Sequence, residues 1–290
     1  MPATTPVAVR KRLRNVDELA AVVRMMKALS AAGVVQFEQA AQAAVAYRAA
    51  TEQALALAAR AGLLDVPDAA GSRGVVVFGT DQGLVGQFNE HLRECLLGAM
   101  TQTGAAPRLW VVGRRLADLL GDELAVTASF DAPQSPAAAA NLVSKLLAAI
   151  GGSACDHVEL VANLPTTRPH YLTHCLPFLP VSAASVRDVA ARAWPRRGVT
   201  PQLIARGADS GHALFEEYRF VALHATCMQS CLAEHRARLA AMQRAEKNIV
   251  ERRQTLEGLY NRLRQDTVDA ELFDLVAGFE ALVPATPAPA

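Results

Sequence analysis

The last quarter of the chain carries an apolar repeat that restricts its fold more than any other feature. From about His212 to Phe279, the repeat advances by alternating steps of four and three residues. Such steps average 3.5 residues, the period of helices that coil around a partner helix. The repeat consists of Leu214, Tyr218, Val221, Ala225, Met228, Leu232, His235, Leu239, Met242, Glu246, Ile249, Arg253, Leu256, Tyr260 and Leu263.

The length of this repeat also predicts a helix that projects from the rest of the molecule. No proline falls between Pro201 and Pro284, and Gly258 is the only glycine away from the ends of the stretch. At about 1.5 Å per residue, such a helix would be roughly 100 Å long. A compact domain of this mass is far smaller, and the stretch is too charged to span a membrane.

Two charged residues, Glu246 and Arg253, interrupt the apolar repeat. Polar residues inside a coiled-coil seam fix its register in some proteins. The other interpretation, which the sequence favours, is that helix pairing ends near them.

A second long apolar seam begins near the N-terminus and predicts a helix from about Val7 to Gly62. Two long seams in one chain can bury each other's apolar side chains, so we expect an antiparallel coiled coil made of the two ends. A turn-rich linker follows this helix at 63–73. The seam residues are Leu13, Val16, Leu19, Val22, Met26, Leu29, Phe37, Ala41, Ala44, Tyr47 and Leu55.

The middle of the chain changes to short apolar runs that alternate with helical stretches, which predicts a parallel sheet with helices on its faces. The predicted strands are Val75–Phe78, Leu109–Val112, Leu124–Phe130 and Val158–Ala162, and the predicted helices are Asn89–Met100, Arg114–Leu120 and Pro136–Ile150. Beyond them, 170–207 looks irregular, with one more strand expected near Leu176. The predicted fold class is therefore α/β: an open, Rossmann-like sheet domain inserted into an antiparallel coiled coil of the terminal helices. The predicted divisions are 1–62, first coil helix; 63–73, linker; 74–207, α/β domain; 208–282, second coil helix; and 283–290, disordered tail.

Composition and motifs favour no chemistry of the chain's own. The formal charge is +1, and the five scattered cysteines suit a cytosolic chain with reduced thiols. No secretion signal, catalytic triad or carboxylate pair stands out, so we expect no catalytic residue, metal or cofactor. The run Gly83–Gly86 after the first strand lacks the lysine of a phosphate loop and is better explained as a tight turn.

Two polar clusters have structural or partner-binding interpretations that outweigh ligand binding. His224, Cys227, Cys231 and His235 share one helical stripe but spread over roughly 16 Å, too far for one zinc ion. The basic cluster Arg10–Arg14 lacks interleaved aromatic residues. We therefore expect it to face acidic loops of a partner protein and not nucleic acid.

Three separated groups of residues resemble the motifs of one known family. The first group is Glu234–Met242, followed without a gap in spacing by Tyr260–Asn261, Arg264–Gln265 and Glu271–Leu272. The second group is Arg12–Val16 with Arg24–Lys27, and the third is Thr80–Asn89. The first group resembles E-x-x-A-R-M-x-A-M, Y-N-x-x-R-Q and E-L-x-E-I-V-x-G of the γ subunit of F-type ATP synthases. The second resembles R-I-x-S-V and K-A-M-x-M-V-A-A, and the third S-D-x-G-L-C-G-x-[YF]-N, of the same family.

This resemblance implies a rotor without catalytic residues or cofactors of its own. The coiled coil would be the shaft inside a hexamer of three α and three β subunits. The α/β domain would rest on the membrane ring of c subunits beside subunit ε, at the cytoplasmic face of a bacterial inner membrane. By touching the β-subunit conformers unequally, the shaft would couple rotation and ion flow to ATP synthesis or hydrolysis.

The resemblance also implies which residues contact the stationary subunits. Apolar contacts have no preferred direction and therefore suit a turning tip. The implied contacts to the β-subunit lever loops are Arg24, Met26, Lys27, Arg238, Gln265 and Glu271, and the implied bearing tip is Leu272, Phe273, Leu275, Val276 and Phe279.

Departures from the family pattern favour a divergent member. Arg24 replaces a lysine, Asp269 a threonine and Val85 a cysteine, and Glu216-Glu217-Tyr218 replaces P-R-Y. They leave open an alternative ATPase with sodium as its coupling ion. Two other functions remain as alternatives: a non-catalytic coiled-coil scaffold, and a nucleotide-binding α/β enzyme with helical extensions. The scaffold predicts no co-purification with α and β subunits, and the enzyme predicts nucleotide binding by the isolated chain.

Overall fold

Two long helices bracket the chain in the computed structural model, which describes residues 5–63, 72–100, 107–153, 155–167, 170–179, 191 and 208–282. Helix α1 covers Pro6–Arg60 and helix α5 covers Ala208–Leu282, each within a few residues of its predicted bounds. Most of the predicted linker, residues 180–190 and 192–207 of the predicted α/β domain, and the predicted tail lie outside the described residues. The chain divides into two compact units, one of Leu29–Ala241 and one of Met1–Ala28 with Met242–Ala290.

The larger unit contains a five-stranded sheet in the order β3-β2-β1-β4-β5. The neighbours from β3 to β4 are parallel, whereas β5 is antiparallel to β4. The elements are β1 Ser72–Phe78, α2 Phe88–Met100, β2 Arg108–Val112, α3 Arg114–Gly121, β3 Ala128–Phe130, α4 Pro136–Gly151, β4 Cys155–Pro165 and β5 Tyr171–Leu179.

The α/β class and the coil with an inserted sheet are confirmed. The four predicted strands are parallel, and the added strand β5, whose direction was not predicted, is antiparallel. Only residues 166–170 join β4 to β5. A parallel neighbour needs a crossover of a dozen or more residues, so this short connection forces an antiparallel pair. The strand expected near Leu176 is therefore an edge strand of nine residues.

Apolar cores cover both faces of the sheet. Val75 and Val77 of β1 point to one face and pack with α2 and α3, while Val76 and Phe78 point to the other. The second face is covered by α4 and by parts of α1 and α5, including the fully buried Leu223. Because successive strand residues alternate between faces, burial on both sides explains why β1 is continuously apolar.

In the smaller unit, α1 and α5 form a two-helix coil whose α1 seam differs from the predicted one. Leu19 and Val22 are 57% and 46% exposed, although both were predicted to face the partner helix. The predicted seam takes two consecutive steps of three after Val16. The observed stripe keeps the alternation of four and three, and so passes through the smaller Ala20 and then Val23. Regular helical geometry thus outweighs side-chain size in choosing the inward face.

Contacts in each unit show that the helices run antiparallel, which confirms the predicted direction. In the smaller unit, Asp17 contacts Arg253 at 3.2 Å and Lys27 contacts Glu246 at 2.6 Å. In the larger unit, Arg236 donates to Glu38 and Tyr47 donates to Glu217, both at 2.5 Å. The expectation that pairing ends near Glu246 and Arg253 is wrong, because both charges bind α1 and Leu256 beyond them is only 4% exposed.

Candidate functional site

The end of α5 exposes a cluster of large apolar side chains. The exposed fractions of Leu272, Phe273, Leu275 and Val276 are 55%, 75%, 70% and 54%. The side chain of Phe279, the last predicted tip residue, lies outside the described side chains. Leu272, Phe273, Leu275, Val276 and Phe279 will be called the tip.

The tip is exposed because α5 is longer than its partner. Asp17 of α1 lies beside Arg253 of α5, and α1 begins eleven residues before Asp17, at Pro6. Antiparallel pairing therefore reaches about Arg264, eleven residues beyond Arg253. Within the described residues, α5 continues from there without α1 beside it, and 264–278 is exposed throughout.

The predicted contact residues of the smaller unit differ in their exposure and in whether they already bind another side chain. Arg24, Gln265 and Glu271 are exposed, and Met26 is half-buried. The Lys27 ammonium donates to Glu246 across the coil, with both side chains more than a third exposed. A pair this exposed contributes about 0–1 kcal/mol, so a partner's carboxylate can compete for Lys27 at little cost.

The remaining predicted contact residue, Arg238, lies inside the larger unit. It is 5% exposed and donates to Glu234 at 2.5 Å, one turn earlier on α5. Burial raises the pKa of Glu234, and Arg238 opposes that rise. The structure therefore gives Arg238 a buried carboxylate as its first partner, and does not place it with the exposed predicted contacts.

Asp81, which sequence reasoning treated only as part of a motif, joins the ends of three strands. Its Oδ1 accepts from the backbone N–H of Arg114, and its Oδ2 accepts from that of Ala132, at 2.9 and 3.1 Å. Arg114 begins the helix after β2, and Ala132 follows β3. One carboxylate in the loop after β1 therefore holds together the carboxyl ends of β1, β2 and β3. The sequence signal was an aspartate three residues after the end of a strand, but its partners lie 33 and 51 residues away.

The rest of the Thr80–Asn89 motif forms a closed turn. Thr80 and Asn89 bond reciprocally, with Asn89 Oδ1 accepting from the Thr80 N–H at 3.2 Å and Asn89 Nδ2 donating to Thr80 Oγ1 at 3.1 Å. Leu84 and Gly86 have φ values of 64° and 68°, the left-handed region that tight turns use. These polar groups are satisfied within the loop, which favours a turn over a phosphate loop.

The sheet has the topology of a nucleotide-binding domain, but helix α5 occupies the expected crevice. The strand order reverses between β1 and β4, and ligands of open α/β sheets bind beyond the carboxyl ends of the strands at such a point. There, the hydroxyl of Ser230 on α5 donates to the carbonyl oxygen of Phe78 at 3.2 Å, and Ser230 is 3% exposed. Among the described residues, no group of three or more His, Cys, Asp or Glu side chains is placed to hold a metal.

His235, in the predicted stripe of His and Cys residues, packs as part of the larger unit's core. Its ring stacks on Phe37 with centroids 5.0 Å apart. Gly33 faces the same ring so closely that an added Cβ would lie 2.4 Å from His235 Nδ1. Burial, helped by the charge of Arg238, lowers the pKa of His235 to about 4.

We expect His235 to make the folded protein less stable as the pH falls from about 6.5 to 4. The unfolded side chain takes up a proton near its ordinary pKa of 6.5, whereas the folded one stays neutral until about 4. At about 1.4 kcal/mol per pKa unit, the loss approaches about 3 kcal/mol at most. Denaturant unfolding of wild type and of His235→Gln at pH 7.5 and 4.5 would measure it. A wild-type pH dependence no steeper than that of the variant would contradict the assignment.

Comparisons with known proteins identify the family. A family model described as ATP synthase matches residues 6–282. The ATP synthase gamma chain of Syntrophobacter fumaroxidans is 28% identical over 216 residues, which cover 72% of each chain. That of Anaeromyxobacter dehalogenans is 27% identical over 299 residues, 94% of this chain and 98% of its own. The chain belongs to the γ-subunit family of F-type ATP synthases.

Solved structures show that this γ-family chain also has the fold of known ATP synthase chains. A chain of the Euglena gracilis mitochondrial ATP synthase, in a structure of OSCP, F1 and c-ring, aligns with a TM-score of 0.65 at 13% identity and covers 98% of both chains. A chain of the Tetrahymena thermophila central stalk and c-ring gives a TM-score of 0.58 at 19% identity, covering 77% of this chain and 99% of its own.

Proposed function

We propose that the chain is the central-stalk rotor subunit of a membrane F-type ATP synthase or ATPase. Rotation of its coiled coil would couple ion flow through the membrane ring to ATP synthesis or hydrolysis at the β subunits. Family membership supports the complex, and the exposed tip supports the mechanical role. Against the enzyme alternative, Ser230 of α5 bonds to Phe78 at the crevice where an open α/β sheet would bind its nucleotide.

The exposed tip is the observation that carries this proposal. Soluble monomers rarely expose several large apolar side chains together, so the exposure of Leu272, Phe273, Leu275 and Val276 indicates a surface that a partner covers. Apolar contact favours no single angle, unlike an ion pair. A helix end of this kind therefore suits a bearing that holds a shaft while it turns.

We assign different partners to the smaller unit and to the α/β domain. The smaller unit would contact the α3β3 hexamer through the tip and through Arg24, Met26, Gln265 and Glu271. Lys27 would contact the hexamer only by leaving Glu246 for one of its carboxylates, and Arg238 only by leaving Glu234 in the same way. The α/β domain, predicted at 74–207, would contact the c-ring and subunit ε. The chain would thus be peripheral at the cytoplasmic face of a bacterial inner membrane, and none of its described helices is apolar enough to cross one.

Reconstitution with the α and β subunits of the same organism tests the proposal. We expect co-purification as an α3β3γ complex, and ATP-driven rotation of a bead attached to the α/β domain. Failure to co-purify, with no effect on the ATPase activity of α and β, would favour the coiled-coil scaffold. Micromolar ATP binding by the isolated chain in calorimetry would favour the enzyme alternative.

We expect Met26→Lys to reduce coupling, because it places a charge at a half-buried position of the coil. Burying even part of an unpaired ammonium costs free energy in the conformers that cover it. The measurement is ATP-driven ion pumping per ATP hydrolysed in the reconstituted complex. Met26→Leu keeps a side chain of similar volume and should pump like wild type. Equal pumping by Met26→Lys would remove Met26 from the coupling surface.

A further inference from the structure

The first part of α1 has little apolar core behind it. Residues 6–28 of this helix belong to the smaller unit and will be called the strap. Among the described side chains of that unit, the buried apolar ones are only Val9 of the strap and Met242 and Leu256 of α5. The other inward-facing strap residues are half-buried: Leu13, Val16, Ala20 and Val23. Since apolar burial is the main favourable term in helix pairing, the strap is held weakly.

The rest of α1 is anchored in the larger unit. Phe37 is 1% exposed, and its ring stacks on that of His235 of α5. Ala41, Ala44 and Leu55 of the same helix are buried as well. The strap is therefore fixed at the end where α1 enters the larger unit, and free at its other end.

Two exposed ion pairs join the strap to α5. Asp17 contacts Arg253 at 3.2 Å with both side chains more than half exposed, and Lys27 contacts Glu246 at 2.6 Å with both more than a third exposed. Such pairs add little stability, and salt screens them. Arg253 also contacts Glu257 of its own helix, at 3.3 Å, so it keeps a carboxylate when Asp17 leaves. The strap can therefore leave α5 without leaving a charge buried and unpaired.

Once detached, the strap would not remain helical. It contains five valines, whose branched side chains lower helix propensity. Its first turn contains no acidic residue to compensate the positive end of the helix dipole. In proteins, most of the stability of a helix comes from packing its apolar face, and that packing is lost when the strap leaves α5. Detachment and unfolding of the strap therefore occur together.

We propose that the strap is a detachable segment, which in the free chain leaves α5 and unfolds as one unit while the larger unit stays folded. Proteins open in cooperative segments, and those with few buried apolar contacts open at the lowest free energy. The two ion pairs favour the closed form. A partner that binds only the closed coil would hold the strap shut by linkage. The opening itself belongs to the free chain and does not depend on the rotor function.

Hydrogen exchange of the free chain, measured by mass spectrometry of its peptides, tests this opening. After correction for intrinsic rates, we expect the amides of residues 12–28 to exchange at least about a hundredfold faster than those of the buried strand β1, because local openings cost far less than global unfolding. Rates along the strap should be alike, since the segment opens as one unit. Strap amides as protected as those of β1 would overturn the proposal. So would rates that fall steadily from the free end, because they indicate simple fraying.

The ion pairs are tested with Asp17→Asn/Lys27→Gln. We expect the strap of this variant to exchange about three- to tenfold faster than that of wild type at about 20 mM salt, and equally fast at about 500 mM, where exposed pairs are screened. Lys27→Glu should also open faster at low salt, and adding Glu246→Lys should restore the wild-type rate. Exchange in Asp17→Asn/Lys27→Gln that equals wild type at low salt would show that the pairs do not hold the strap.

The matched control is Glu18→Gln/Arg24→Gln. It removes the same two kinds of charge from exposed strap positions that form no ion pair with α5 among the described residues. Its strap should exchange within about twofold of wild type, as expected for exposed charges without a partner. Equal acceleration in both variants would assign the effect to charge on the helix itself and overturn the role of the ion pairs. Exchange of β1 at the rate of the strap would show that the whole chain opens together, which also contradicts a detachable strap.

Discussion

Ending the chain after Gln265 should leave the protein folded but weaken its binding to α3β3 by about a hundredfold or more. Leu272, Phe273, Leu275 and Val276 are each more than half exposed, so removing them takes little from the core. If the hexamer covers them, four apolar side chains at even about 1 kcal/mol each amount to about 4 kcal/mol. Since about 1.4 kcal/mol is a factor of ten, that estimate leaves room for a hundredfold loss.

The experiment compares this truncation with two substituted full-length chains. Leu272→Ser/Phe273→Ser/Val276→Ser should reproduce most of the loss, whereas Asp266→Ser/Asp269→Ser/Asp274→Ser should bind within a fewfold of wild type. Circular dichroism checks the fold and titration of α3β3 measures the affinity. Loss of all folded structure on truncation would show that the tip is core. Unchanged affinity of the serine variant of the apolar residues would show that the tip is not a bearing.

Replacing Asp81 by alanine should destabilise the protein by about 2–5 kcal/mol. The carboxylate accepts from two backbone N–H groups that lie on separate segments, at Arg114 and Ala132. Hydrogen bonds to a charged acceptor contribute about 1.5–3 kcal/mol each, so losing both costs about 3–6 kcal/mol. The bond to Arg114 is exposed to solvent, which lowers the expected loss to about 2–5 kcal/mol. The carboxyl ends of β1, β2 and β3 would then lose the side chain that joins them.

Denaturant unfolding would measure this loss, with Asp131→Ala as the control. Asp131 also contacts Arg114, at 3.1 Å, but both side chains are more than 70% exposed. An exposed ion pair contributes about 0–1 kcal/mol, so the control should change stability little. Equal effects of the two substitutions would mean that Asp81 is one more surface carboxylate.

Much of the architecture could be predicted because it depends on period and local chemistry. Alternating steps of four and three gave α5 to within a few residues, and four apolar runs gave the central strands. The α1 seam failed because Leu19 and Val22 are larger and more apolar than Ala20. What selects the inward face is the continuous path of the stripe along the coil, and not the size of single residues.

The polar contacts were less predictable, because they depend on elements distant in sequence. The two bonds between Thr80 and Asn89 stay within one short motif, whereas Asp81 reaches partners after β2 and after β3. Arg238 belongs to a recognisable motif, but its burial depends on how α5 packs on the sheet, which the motif does not show. The antiparallel direction of β5 was implicit in its short connection to β4, and was missed because the segment looked irregular.

The different lengths of α1 and α5 also affect elasticity. Below about Arg264 the smaller unit presents two helices side by side, and above it one helix continues alone among the described residues. A single rod bends and twists more readily than two bonded rods. Under load, we therefore expect most of the deformation of this unit in the last turns of α5, which would act as a compliant end on a stiffer stem.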